Sequence, residues 1–138
     1  MRAPDSLGWV TLDVQSARAA AAQGGWSAAY ELLGKFDTTQ LAAEDVELFA
    51  DCAWWRSQVP QEISLRQQAF NGFVAAGKVR RAAYAAWMLS VRYGLRGDPV
   101  ASSGWLKRAQ RQLAAEPECA EHGYVACSET EQALRRGD

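Results

Sequence analysis

A short helix-breaking turn recurs along this 138-residue sequence and separates stretches rich in alanine and aromatic residues. Successive copies begin 33, 40 and 40 residues apart. A period of this length is typical of helical hairpins that stack side by side as a solenoid. Because such stacks usually bind other molecules without transforming them, the period predicts a binding function. The four copies lie at residues 23–26, 56–59, 96–99 and 136–138.

Composition is that of one soluble globular domain covering residues 1–138, with 49% apolar and 22% charged residues. The N-terminus leads into no apolar stretch of the signal-peptide type, and the longest uncharged apolar run, residues 82–91, is too short to cross a bilayer. The three cysteines, Cys52, Cys119 and Cys127, are odd in number and widely placed. They favour reduced thiols over a disulfide framework, so we expect a cytoplasmic protein with no membrane partner.

Apolar residues recur at helical spacing throughout, and no stretch alternates as a strand would. The clearest stripe consists of Val46, Phe49, Ala50 and Ala53. The expected fold is all-α: a solenoid of about seven antiparallel helices, forming three hairpins and a terminal helix. The helices are predicted at residues 9–23, 26–36, 43–56, 60–76 and 79–95, from residue 99 through Leu113, and at 117–136.

Small residues at set points make the chain resemble tetratricopeptide repeats. In that family, small residues let paired helices approach closely, and a glycine occupies the turn. The first helices match with Ala17, Ala50 and Ser90, the turns with Gly24, Ser57 and Gly97, and the second helices with Ala29, Ala69, Ser102 and Ala109.

A narrower resemblance links residues 53–55, 62–64, 100–106 and 117–123 to the helical-repeat region of actinobacterial regulators that carry a LuxR-type helix-turn-helix domain. Similar repeats also follow nucleotide-cyclase domains or occur in other signalling chains. The resemblance spans about residues 15–125 and implies a regulatory or signalling context. Because the repeats use all seven predicted helices, direct DNA binding is not expected in this chain.

The repeats depart from the family pattern at several places. Glu62 and Phe36 stand where alanines belong. The 40-residue spacings carry about six residues more than a 34-residue repeat, and we place them in the connectors. No helix follows the last turn, so the seventh helix either caps the stack or begins a fourth hairpin. We expect the second, with this chain as the front of a longer array.

The inner groove of the predicted solenoid is the candidate binding surface, because the resemblance implies that the first helix of each hairpin lines it. Aromatic anchors beside acidic residues suit a protein or peptide with apolar and basic side chains. Ordinary packing between helices is the alternative for each tryptophan. The groove residues are Glu44, Glu47, Asp51, Trp54, Trp55, Tyr84, Trp87, Val91 and Tyr124.

Charge is unevenly distributed along the chain. Residues 78–111 carry eight Lys or Arg and one Asp, a net charge of +7, whereas residues 1–77 and 112–138 each carry −4. A basic middle segment can bind an anion or nucleic acid, and it can also be neutralised by neighbouring repeats. The candidate basic surface consists of Arg80, Arg81, Arg92, Arg96, Lys107, Arg108 and Arg111.

Catalytic and metal-binding signatures are weak. The single histidine has no obvious nucleophile beside it, and no phosphate-binding or dinucleotide glycine pattern occurs. Cys119, His122 and Cys127 share one face of the last helix, but their spacing matches no closed zinc motif. We therefore expect no enzyme activity, cofactor or metal. The predicted function is a protein-interaction or ligand-sensing module, with homodimerisation or anion binding as alternatives.

Overall fold

The computed structural model describes residues 6–137, and the side chains of residues 12–137. Within these residues the chain forms seven α-helices and no strand, so the all-α class is confirmed. Stacking of the whole chain as a solenoid stays a prediction. The helices are α1 (Ser6–Ala22), α2 (Trp26–Leu33), α3 (Ala43–Trp55), α4 (Val59–Ala75), α5 (Val79–Leu95), α6 (Pro99–Leu113) and α7 (Ala120–Arg136), with a short 3₁₀ turn at Thr38–Gln40.

The chain divides into two compact units, Met1–Leu65 and Arg66–Asp138, with the boundary inside α4. In the first unit, α1 packs against α2 and α3, and α2 also packs against α3. In the second unit, α5 and α6 form the most extensive helix pair, and α7 packs against both of them.

The recurring turn has one backbone conformation wherever it is described. In each copy, a residue in the left-handed region donates its N–H to the carbonyl three residues back, and the next residue donates to the carbonyl five back. These two hydrogen bonds close the helix end, because they pair carbonyls that the helix itself leaves unsatisfied. These residues are Gly24 (φ 79°), Ser57 (φ 58°), Gly77 (φ 70°) and Gly97 (φ 75°). Gly137 also has a positive φ of 80°, while Asp138 lies outside the described residues.

Gly77 turns the expected 40-residue spacing into two steps of 20, because the turns at Ser57, Gly77 and Gly97 are evenly spaced. Burial follows the same step. Adjacent buried pairs occur at residues 45–46, 65–66 and 85–86, and again at 49–50, 69–70 and 89–90. From α3 to α5 the repeating element is therefore one helix and its turn.

The extra residues of the long repeats were expected in the connectors. Between residues 96 and 136 a six-residue connector, residues 114–119, carries part of them, but between residues 56 and 96 the expectation was wrong. The connectors at residues 23–25, 56–58, 76–78 and 96–98 have three residues each, whereas α4 and α5 each have 17. The added length is helical because a three-residue turn already satisfies the helix end.

All predicted helix ends lie within three residues of the observed ones. The start of α7 differs because the residue expected to begin the helix lies outside it. Pro117 was expected to begin this helix, but it lies in the connector, residues 114–119. Cys119 is the extended residue before the first helical turn, with φ −150° and ψ 171°. Proline is preferred at the first position of a helix, but its fixed φ also suits a connector, and Pro117 lies in one.

Small residues form the helix contacts in both units, and all seven small helix positions carried by the tetratricopeptide resemblance are buried. In the second unit, Ser90 on α5 and Ser102 on α6 each donate a hydroxyl hydrogen bond of 2.8 Å to the other's carbonyl oxygen. Such mutual bonds satisfy both buried hydroxyls where the two helices come close. Glu62, which stands in place of an alanine, is also fully buried on α4 and does not lack a partner.

Candidate interaction surfaces

In the first unit, the five predicted groove residues on α3 occupy one face of that helix. Their positions span an arc of about 100° at 3.6 residues per turn. The acidic residues are partly buried and precede the tryptophans, which form the end of the helix. Trp55 is 60% exposed and Trp54 is 37% exposed. We call this set the α3 face: Glu44, Glu47, Asp51, Trp54 and Trp55.

The ring of Trp55 stacks on Trp26, the first residue of α2, with ring centroids 5.8 Å apart and planes 17° from parallel. The next residue, Arg56, lies over the ring of Tyr30 at 5.3 Å from its centroid. It also donates a hydrogen bond of 3.2 Å to Ser27 Oγ. The stacked indoles therefore form an apolar platform beside a fixed guanidinium group.

Charges around the start of α3 are partly compensated. The guanidinium of Arg18 donates two hydrogen bonds to the buried carboxylate of Asp45, at 2.8 and 2.7 Å. This bond, together with the negative charges of Asp45 and Glu44, raises the pKa of Arg18. The negative charge of Asp45 is therefore compensated within the first unit.

Cys52 lies next to Asp51 and is fully buried. Burial, reinforced by the negative charge of Asp51, raises the pKa of the Cys52 thiol to about 11. Only the thiolate is a good nucleophile, so the Cys52 thiol is expected to react slowly in the folded protein.

In the second unit, Tyr84, Trp87 and Tyr124 come together between α5 and α7. Trp87 stacks on Tyr124 with centroids 4.9 Å apart, and Tyr84 meets the two rings at 5.7 and 6.1 Å. The indole N–H of Trp87 donates a 2.9 Å hydrogen bond to Ser128 Oγ. Trp87 therefore packs between helices, the alternative left open by the sequence, while Tyr124 is still 40% exposed.

Val91 lines a cavity of about 60 Å³ bounded by α5, α6 and α7, together with Ser102, Ser128 and Gln132. A second cavity of about 260 Å³ opens beside Pro99, Ser103 and Arg135. Hydroxyl, amide and guanidinium groups lie around both cavities beside a larger apolar area, so the contact of α7 with α5 and α6 is incompletely filled at its C-terminal half.

Glu121, on the first turn of α7, accepts a hydrogen bond of 3.1 Å from Arg80 on α5. Burial alone raises the pKa of Glu121, but its backbone N–H, the Cys119 thiol and Arg80 outweigh burial and lower the pKa. The carboxylate form is therefore the one that holds α7 to α5 at this end.

Six of the seven predicted basic residues are exposed, and three of these contact neighbouring side chains. Arg80 points to Glu121, and Arg81 lies over the ring of Phe73 at 5.1 Å. Arg108 lies over the ring of Trp105 at 4.2 Å. Arg92 was expected at the surface and is buried, with 8% of its area exposed, because its position on α5 faces into the packing of the unit. Arg96, Lys107 and Arg111 are the other exposed members of the set.

The cysteine and histidine residues near α7 are not assembled for metal binding. Cys119 Sγ lies 3.2 Å from His122 Nδ1, and Cys127 is exposed. No group of three His, Cys, Asp or Glu side chains that could hold a metal ion occurs in the described part of the chain.

Sequence reasoning missed several residues that complete these surfaces. Trp26 supports Trp55, and Ser128 receives the bond from Trp87. Gln132 accepts a hydrogen bond of 3.2 Å from Ser103 on α6. These partners lie 29 to 41 residues apart, so only tertiary packing reveals them. The spacing of Tyr124, Ser128 and Gln132 in steps of four was the one available signal.

Comparisons with known proteins gave no match: no family model, no curated protein and no solved structure corresponds to this chain. None of the described helices has the length and apolar character needed to span a membrane.

Proposed function

We propose that this chain is a non-enzymatic protein-interaction or ligand-sensing module of a bacterial transcriptional regulator or signalling protein, acting in the cytoplasm. The observation that carries the proposal is the α3 face, where the exposed Trp55 and Trp54 lie on the same side of one helix as three acidic residues. The regulatory context is supported only by the sequence resemblance to repeat regions of LuxR-type regulators.

The chemistry of the α3 face favours a peptide or helix with apolar and basic side chains. Tryptophan is enriched among residues that dominate binding energy, since it offers a large rigid surface. Trp26 holds the ring of Trp55 in place, which lowers the entropy lost when a partner binds. Carboxylates beside the rings would attract cationic side chains and speed association.

Binding at this face would act by shifting an equilibrium between two states of the parent protein. A ligand shifts such an equilibrium only by the difference between its affinities for the two states. We propose that the equilibrium is either one between assembled and unassembled forms or one between inhibited and released forms. The complete groove that joins these residues to those of the second unit stays a prediction.

The test uses a fluorescein-labelled amphipathic helical peptide of leucine and lysine, titrated with the full chain and followed by fluorescence anisotropy. We expect saturable binding that weakens as salt is raised, and a loss of about tenfold or more in affinity for Trp55→Ala. Leu12→Ala is the matched control, because Leu12 is an exposed apolar residue in the same unit but outside the α3 face. Equal affinity of Trp55→Ala and the unchanged chain contradicts the proposal.

The rival functions have their own outcomes in the same set of measurements. A molar mass that stays at twice the chain mass on dilution, with no peptide binding, would favour a structural homodimer. Salt-dependent binding of a fluorescent DNA or RNA probe, lost when exposed basic residues such as Arg96 and Lys107 are replaced, would favour the anion-binding function.

A further inference from the structure

We propose that the surface formed by α5 and α6 is a helix-binding groove that α7 fills within the chain, and that its external partner is an acidic amphipathic helix with an aromatic anchor. This partner would displace α7. The inference rests on the proposed function only in treating the chain as an interaction module, since it concerns a different surface from the α3 face.

The apolar attachment of α7 is much weaker than that of its neighbour. Both α5 and α7 have 17 residues, but α5 buries seven of them and α7 buries only Val125 and Ser128. Burial of apolar area is the main stabilising contribution in helix packing. Local opening that detaches α7 therefore costs far less than unfolding α5, as expected for a segment at the low end of a protein's range of local stabilities.

Hydrogen bonds make up much of what holds α7. Besides the Trp87–Ser128 bond, Gln110 donates to Glu129 at 3.0 Å, and Ser103 donates to Gln132 at 3.2 Å. Cavities of about 60 and 260 Å³ adjoin these bonds. A contact with gaps, several side-chain hydrogen bonds and few buried residues resembles an interface between proteins that exchange partners more than it resembles a core.

The connector that leads into α7 gives it freedom to leave. It spans residues 114–119, whereas the connectors on either side of α5 have three residues each. The short connectors form the turn that two backbone hydrogen bonds close. The start of α7 instead has an extended residue, Cys119. Six residues of connector allow α7 to move away while α5 and α6 stay paired.

The chemistry of the partner follows from what α7 presents to the groove. Tyr124, Ser128 and Gln132 are spaced by four residues and contact Trp87, Trp87 and Ser103 respectively. Residues 116–131 carry five glutamates and no lysine or arginine, opposite a segment, 78–111, of net charge +7. The Arg80–Glu121 bond is one contact of this complementarity. A competing helix therefore needs an aromatic residue, a small residue one turn later and acidic flanks.

The probe is a fluorescein-labelled peptide with the sequence of residues 118–137, and the binding partner is the full chain. Because α7 competes within the chain, the apparent affinity is reduced by the fraction of chains in which the groove is open. We expect Tyr124→Ala in the chain to tighten binding of the unsubstituted peptide by about tenfold, since it removes the stacking on Trp87. Ser128→Ala should act in the same direction, which keeps the test valid if one variant folds poorly.

Controls separate displacement from general loosening. Thr130→Ala in the chain is matched to Ser128→Ala, because it removes an exposed hydroxyl of α7 that bonds only to its own helix at Ala126. It should leave peptide affinity unchanged. A peptide carrying Tyr124→Ala should bind at least tenfold more weakly, and a peptide with its glutamates replaced by lysine should not bind.

Hydrogen exchange gives a readout that a purely structural role of α7 would not move. With an isotopically labelled, mass-shifted peptide in excess, amides of α7 in the chain should exchange faster while those of α5 stay protected. The inference is overturned if the amides of α7 exchange only when those of α5 do. It is also overturned if neither Tyr124→Ala nor Ser128→Ala in the chain increases the affinity for the peptide. Trp55→Ala distinguishes the two proposals: it should weaken binding of the leucine–lysine peptide by about tenfold or more and leave binding of the α7 peptide intact.

Discussion

Trp87 on α5 donates its indole N–H to Ser128 Oγ on α7 at 2.9 Å, and both residues belong to the same compact unit. Ser128 is one of the two buried residues of α7, so the bond lies at the centre of the contact that this helix makes. A tryptophan N–H that loses its acceptor at this part-buried site gives up a hydrogen bond that links the two helices.

Replacing Ser128 with alanine should therefore weaken α7 more than the loss of one exposed hydroxyl would. We expect Ser128→Ala to lower the free energy of opening α7 by about 1 kcal/mol, the usual net contribution of an intramolecular hydrogen bond. Hydrogen exchange of α7 amides measures this free energy directly. Thr130→Ala should change it by less than about 0.5 kcal/mol, and equal effects of the two substitutions would contradict this prediction.

Ser57 occupies a left-handed conformation that the other three described turns assign to glycine. A side chain in this region costs about 1 kcal/mol, so Ser57→Gly should raise the free energy of unfolding by up to that amount. Gly97→Ala should lower it by a similar amount, because an added Cβ meets nothing within 4 Å and only the backbone conformation resists it. Urea titrations would check both predictions, with the slope of the unfolding free energy against urea concentration expected to stay unchanged. Destabilisation by Ser57→Gly would refute the explanation.

The lowered pKa of Glu121 makes the attachment of α7 dependent on pH. A carboxyl group with a lower pKa in the folded state stabilises that state above its unfolded pKa, here 4.5, and the contribution is lost as pH falls through the folded pKa. Unfolding free energies of the unchanged chain and Glu121→Gln should therefore differ at pH 6 and converge below pH 4. A constant difference down to pH 3 would rule out the carboxylate as the stabilising form.

The three cysteines should differ sharply in reactivity. Burial and Asp51 raise the pKa of Cys52 to about 11, whereas Cys127 is exposed on α7. At pH 8, an aromatic disulfide reagent should modify Cys127 quickly and Cys52 only after unfolding. Loss of the fast phase in Cys127→Ser would verify the assignment, and a fast phase that depends on Cys52 would contradict it.

Local signals made the helices predictable. Glycine and proline mark the ends of α4, α5 and α6, and each end needs only a few neighbouring residues to form. The start of α7 was misplaced at Pro117 because proline is equally at home in a connector. The predicted 40-residue spacing passes over the turn at Gly77, so the 20-residue step was not predicted.

Relations within one helix of these surfaces were predictable, whereas contacts between helices were not. Helical spacing alone placed Trp54 and Trp55 on one face with the acids of α3, since that relation lies within one helix. The stacking of Trp26 on Trp55, the burial of Arg92 and the Trp87–Ser128 bond depend on how separate helices pack. Nothing in the local sequence around these residues specifies their distant partners.

The six tryptophans allow the most direct test of the α3 face as a binding surface, because each indole N–H gives its own NMR signal. On titration with the leucine–lysine peptide, we predict that the signals of Trp54 and Trp55 shift and saturate. The signal of Trp105, whose ring packs edge-on against Phe70 at 5.2 Å, should stay in place. Signals of Trp54 and Trp55 that do not move at peptide excess would contradict the proposed function.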